Sequence, residues 1–133
     1  FFSKYFIGME ENAIDKFGAF FIQNFFDKGI ERYFALTEGQ LKSPSIAQLI
    51  EQLTPEQFLL MEKLLREVLV TASHDFLFAL QERIDFENDI RLIVDEVEIT
   101  KESDGLQGEL FTEDGWIQKF SKFYNSENSD STQ

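Results

Sequence analysis

Residues 54–83 read TPEQFLLMEKLLREVLVTASHDFLFALQER, and the spacing within them decides the fold. Thr54 suits a helix cap, Pro55 suits the first helical position, and Gln57 completes a Thr-x-x-Gln capping box. The following stretch, about eight turns long, contains neither Gly nor a second Pro. Phe58, Met61, Leu65, Val68, Leu69, Ala72, Phe76, Ala79 and Leu80 recur at three- and four-residue spacing and share one face. Leu59, Leu60, Val70, Leu77 and Phe78 occupy the back. A helix apolar around most of its girth is predicted to be central and covered on two sides. Thr71 and Ser73 either bend it or split it, Ser73 then capping a second half.

Toward the N-terminus, Glu10 to about Leu36 is helical in pattern. Ile14, Phe17, Phe21 and Phe25 form its stripe, widened by Phe20, Ile30, Tyr33 and Phe34. Glu10, Glu11 and Asp15 favour the positive end of its dipole. Gly18 and Gly29 each cost such a helix about 1 kcal/mol relative to Ala, and Gly29 either sits within it or ends it before a second segment from Ile30. The opening FFSKYFI, residues 1–7, reads as a short strand or a first helical turn, broken by Gly8. Residues 37–42, TEGQLK, form a connection. Ser43 and Pro44 then open a short helix to Leu53 with Ile46, Leu49, Ile50 and Leu53 on its apolar side.

Beyond Arg83 the periodicity changes. Residues 84–89 form a turn or capped link, and IRLIVDEVEIT, residues 90–100, alternates with period two. With Asp95 and Glu96 as the loop, Val94 faces Val97 and Leu92 faces Ile99. These four and Ile90 then share one face, with Arg91, Glu98 and Thr100 on the other and Ile93 as the exception. Neither loop residue is Gly, so the turn is either this two-residue one or a longer loop. ESDGLQG, residues 102–108, is turn-rich, and Glu109 to Phe111 suits a short third strand. Thr112 is placed to cap a last helix, residues 113–123, with Trp116, Ile117, Phe120 and Phe123 inward. The apolar-free NSENSDSTQ, residues 125–133, reads as a disordered tail. The expected architecture is mainly α (α+β): one globular domain, residues 1–124, around a long central helix with an appended β-hairpin. The predicted core is Phe17, Phe21, Phe25, Leu49, Met61, Leu65, Val68, Ala72, Phe76, Leu80, Leu92 and Trp116.

At 133 residues the chain is long enough for a real core, and 16 Phe predict an aromatic one. A net charge of −13 argues against nucleic acid or an anionic membrane as partner. It suits a monomer kept apart by repulsion, or a protein that docks on a basic surface. There is no Cys, no apolar run of membrane-spanning length and no signal-peptide pattern, so the expected location is cytoplasmic.

Catalytic, cofactor and metal residues are not assigned. The window DFENDIRLIVDE, residues 85–96, spaces acids somewhat like a calcium loop but puts Ile90 where such a loop needs Gly. One His and no Cys disfavour zinc, and the Glu-x-x-His of a di-iron helix bundle is missing. Ser73, His74 and Asp75 are adjacent on a helix and therefore diverge, so they do not spell a triad. His74 is expected to bond Glu67 or a backbone carbonyl and to flank Phe78. No spacing singles out a carboxylate pair for glycoside chemistry, and Gly105 and Gly108 are flanked by acids that would repel phosphate. Trp116 is expected to pack on the central helix.

The strongest signal is acidic. Between Glu82 and Asp114 lie twelve acidic and three basic residues, nine of the chain's net negative charges. Asp85, Glu87, Asp89, Asp95, Glu96, Glu98, Glu102, Asp104, Glu109, Glu113 and Asp114 are the candidate partner-binding residues; a solvated face serving only solubility is the alternative. In its size, acidity, lack of Cys and lack of enzyme motifs, the chain resembles bacterial immunity proteins, in particular the antitoxin partners of contact-dependent growth inhibition systems. That resemblance implies a cytoplasmic inhibitor of a delivered toxin domain, often a nuclease with a basic cleft. The competing expectation is a non-enzymatic adaptor or homo-oligomeric module that pairs through apolar surface, recognisable if Phe20, Phe26 and Phe34 form one exposed patch. An enzyme would need a cleft holding His74 and a strongly shifted carboxylate.

Overall fold

The computed structural model describes residues 12–41 and 43–124. The expectations for residues 1–7 and for the polar tail, residues 125–133, lie outside the described residues. The chain is mainly helical around one long helix, with a two-stranded hairpin following it.

Helix α1 (Ala13–Phe21) begins at Asn12, whose side chain accepts a hydrogen bond from the Asp15 amide at 2.8 Å. It continues through a π-helical turn (Ile22–Phe26) into α2 (Asp27–Thr37), so Gly29 does not end it. The wider turn has a consequence for packing. An unbroken α-helix would rotate Phe26 and Ile30 progressively away from the face carrying Phe17 and Phe21. The extra residue per turn rotates them back, and Phe21, Ile22, Phe26 and Ile30 are all buried. Phe20 and Phe25 are left exposed; Phe25 is thus not core, although its ring still stacks on Phe21 at 5.2 Å. Phe26 is fully buried and Phe34 packs against the core, so the patch envisaged with Phe20 does not exist.

Helix α3 (Pro44–Glu51) buries none of its residues, and Leu49 is exposed. Helix α4 (Pro55–Glu87) is the long one, 33 residues and roughly 50 Å. Both halves of the Thr54–Gln57 capping box form, at 2.8 and 3.1 Å. The helix is not split at Ser73. It runs a turn past Arg83 and stops where Asn88 adopts φ 62°, a left-handed stop that Asn tolerates. Its buried residues are Leu69, Ser73, Leu77, Gln81 and Ile84. Of the face expected to be inward, only Leu69 is buried; Met61, Val68 and Phe76 are exposed, and Leu65, Ala72 and Leu80 are half-buried. The helix is therefore covered on one side. Because its girth is apolar nearly all round, hydrophobicity alone does not choose the face. The choice follows from what packs there, above all the short elements that come after it.

Those elements begin with β1 (Ile93–Val94) and β2 (Val97–Glu98), paired antiparallel with Val94 opposite Val97 and Ile93 opposite Glu98. Asp95 and Glu96 form the two-residue loop at φ 51° and 68°, the positive pair a type I′ hairpin turn requires. The Ile99 amide donates to the Leu92 carbonyl at 3.2 Å, and Leu92, Val94, Val97 and Ile99 face the core. The second strand then gives way to the helical turn α5 (Ile99–Glu102), which turns Thr100 inward. A 3-10 helix, Leu106–Leu110, stands where a third strand was expected and buries both of its Leu side chains. The last helix, α6 (Trp116–Phe120), is shorter than expected and starts at Gly115; Thr112 is not its cap but a turn residue at φ 79°. Trp116 is 1% exposed and packs on α1, its ring edge-on to Phe17 at 5.8 Å.

Candidate partner-binding surface

The acidic residues divide by what their carboxylates already hold. Asp89 accepts from Arg83 Nε at 2.9 Å, closing the end of α4 onto the link that follows. Asp95 pairs with Lys16, joining the hairpin tip to α1. Glu98 receives Arg91 at 2.9 Å and Lys101 at 3.4 Å across the base of the hairpin. These hydrogen-bonded cations hold the carboxyls of Asp89 and Glu98 below the usual carboxylate range. Asp85 accepts from Gln81 Nε2 at 3.2 Å, and Glu109 accepts from the Ser103 hydroxyl at 2.6 Å. These five carboxylates are thus bound up within the fold.

The other six behave differently. Glu87, Glu96, Glu102, Asp104, Glu113 and Asp114 are exposed, and none makes an ion pair or side-chain hydrogen bond among the described residues. They stand at the end of α4, the hairpin tip, the end of α5 and the loops flanking the 3-10 helix. Leu106 lies at Gln81 and Phe111 at His74, so residues 106–111 run back along α4. Glu113 and Asp114 are therefore carried away from Asp104 and Glu102, and the acidic set is spread along α4's second half.

One buried side chain holds this region rigid. Gln81 Nε2 donates to the Thr100 carbonyl at 3.2 Å, and its Oε1 accepts from the Leu106 amide at 2.9 Å. A second, Asp27, is 3% exposed and accepts from the Ser121 hydroxyl at 2.6 Å and the Lys122 amide at 3.0 Å, tying the chain beyond α6 to α2. Arg66 then lies 5.5 Å from the rings of both Phe123 and Tyr124. Neither Gln81 nor Asp27 was singled out by pattern. Their only sequence signal is a polar residue at an inward helical position, readable once the face is known.

Ser73, His74 and Asp75 do not form a relay. The Ser73 hydroxyl is buried without a hydrogen-bond partner among the described residues, while Asp75 is exposed. His74 Nδ1 lies 3.2 Å from Asp75 rather than reaching Glu67, and its ring stacks on Phe78 at 6.3 Å as the spacing implied. A cleft of about 610 Å³ opens between the end of α2 and α3, lined mainly by Leu36, Leu41, Ile46, Ala47 and Ile50. A polar one of about 290 Å³ lies beside Asp85, Arg91, Glu98 and Lys101, where Glu98 pairs with both cations and Asp85 accepts from Gln81. Among the described residues there is no cluster of acids and His suited to a metal ion, and no helix long and apolar enough to cross a membrane. No protein-family model, curated protein or solved structure matches the chain.

Proposed function

We propose that this chain is an inhibitory binding protein of the immunity type, which occludes the basic cleft of a toxin domain such as a nuclease. The observation that carries the proposal is the set of six exposed carboxylates without partners among the described residues, mounted on elements that Gln81 and the paired acids hold in place. A rigid array of unpaired negative charge suits docking, because the partner's cations meet carboxylates that need not first be released from the protein's own bases. Inhibition would be steric and electrostatic: the carboxylates occupy the cationic groups that nucleic-acid phosphates would otherwise use. No bond is made or broken.

The test starts with the tagged chain used to capture partners at low and high salt, followed by titration of the captured protein. A basic partner that salt releases, and that binds at least about 10-fold more weakly to a variant combining Glu96→Gln, Glu102→Gln and Asp104→Asn, is the expected result. An affinity indifferent both to salt and to that variant would refute the carboxylate surface.

A further inference from the structure

We infer that α4 carries a second seam, on the side facing away from the core, through which two copies of the chain pair antiparallel. The inward side of this part of the helix is taken: Arg66 lies against Phe123 and Tyr124, and Leu69 is buried against α2. On the opposite side Leu60, Leu64 and Val68 are 64%, 65% and 51% exposed. Gln57, Met61, Leu64, Val68 and Thr71, all exposed, recur at alternating spacings of four and three. That is the 3.5-residue period of a helix–helix seam, and the described residues of one copy leave it exposed.

Charge argues that a second copy covers it. Within residues 55–73 there are three acids and two bases, so this stretch is nearly neutral in a chain whose net charge is −13. The seam positions themselves carry no charge. It is the part of the long helix where two such acidic molecules can approach without strong repulsion. Charge also chooses the direction. Parallel pairing would set the two acid-rich segments, residues 82–114, side by side. Antiparallel pairing about Leu64 sends them out at opposite ends, tens of ångströms apart and beyond the screening length of about 8 Å. In that register Leu64 meets its own copy at the two-fold axis, Gln57 meets Thr71, and Val68 meets Leu60 on the flank of the seam, a self-complementary arrangement.

The size is sufficient. Residues 55–73 of the two copies overlap along roughly 28 Å of helix, and helices in contact over that length bury on the order of 1,000 Å², near the lower bound for a specific interface. Charge alone predicts a monomer. The exposed seam predicts that the monomers pair despite it, more tightly as added salt screens the acids. The acidic array lies outside the seam, so the pairing and the capture of a basic partner are separable.

Sedimentation equilibrium of the full chain tests the inference, with Leu64→Glu as the disrupting variant. Leu64 is exposed, so the variant keeps its helical circular dichroism. The expected result is a dimer whose dissociation constant rises on the order of 1,000-fold, because the substitution enters the interface twice. The absence of Cys permits a second reading: Leu64→Cys is expected to form a disulfide-linked dimer on mild oxidation, and Phe86→Cys, far from the axis, is not. A monomer at every concentration overturns the inference. So does a dimer that tolerates Leu64→Glu, or one that cross-links equally well through Phe86→Cys.

Discussion

At Gly18 the missing side chain is filled by another residue. A Cβ there would fall 2.3 Å from Trp116 Nε1 and 2.4 Å from the adjoining ring carbon, so the indole lies directly on the backbone of α1. The helix accepts a poor helix former in return for seating Trp116 of α6, the largest fully buried side chain among the described residues. Gly18→Ala would gain about 1 kcal/mol in propensity and lose more to overpacking. The net expectation is destabilisation by about 1–3 kcal/mol, read as a lower denaturation midpoint with Trp fluorescence as the probe. An unchanged or higher midpoint would contradict this packing. Ser73 presents the opposite case, a buried hydroxyl in the middle of α4 with no hydrogen-bond partner among the described residues. Ser73→Ala removes the unsatisfied group and improves propensity, and is expected to stabilise the protein by about 1 kcal/mol in urea denaturation. A loss of stability would show that the hydroxyl has a partner after all.

The hairpin shows how an element can form despite an unfavourable turn. Asp95 and Glu96 both take positive φ, and Glu is poorly suited to it. The register holds because Leu92, Val94, Val97 and Ile99 must reach the core together; a slip of one residue would turn all of them outward. The Lys16–Asp95 pair then fastens the tip. Glu96→Gly relieves the backbone and leaves that pair intact, and is expected to raise stability by roughly 0.5–1 kcal/mol in thermal unfolding. A fall in melting temperature would mean that the Glu96 side chain matters to the folded state. For α4, the capping box and the lack of breakers make the helix readable from sequence. Its inward face is not readable, because apolar residues ring the helix.

At the scale of the whole molecule, ion pairs around the hairpin and at the end of α4 make stability depend on pH. Asp89 and Glu98 are held below their ordinary values by Arg83 and Arg91 respectively. A depressed carboxyl stabilises the fold fully above its unfolded value and loses that contribution as pH falls through its folded one. The denaturation midpoint is therefore expected to be flat near neutrality and to decline below the ordinary carboxylate range, and Arg91→Gln is expected to flatten the decline. A profile that the substitution leaves unaltered would show that this pair contributes nothing. Because Asp89 is exposed and Glu98 no more than half-buried, salt is expected to weaken the effect.

The amino-acid sequence by itself determined the long helix with its start and the hairpin with its register, but not the end of α4, the 3-10 helix in place of a third strand, or the limits of α6. Thr54 and Pro55 start α4, Asp95 and Glu96 turn the hairpin, and period-two alternation puts Leu92, Val94 and Val97 on one face. These are local effects, set by backbone preference and nearest neighbours. It also determined the excess of acid between Glu82 and Asp114. Only the tertiary structure decided which side of α4 is core, since Leu69, Ser73, Leu77, Gln81 and Ile84 are inward because the 3-10 helix and α2 arrive there. It likewise decided that a π-helical turn keeps Phe26 and Ile30 buried at the cost of exposing Phe25, and that Trp116 seats on Gly18. It sorted the eleven candidate carboxylates into five that brace the fold and six that face solvent without a partner among the described residues. The physical reason is the same in each case: a side chain's partner across the fold is fixed by the path of the chain, which no local spacing contains.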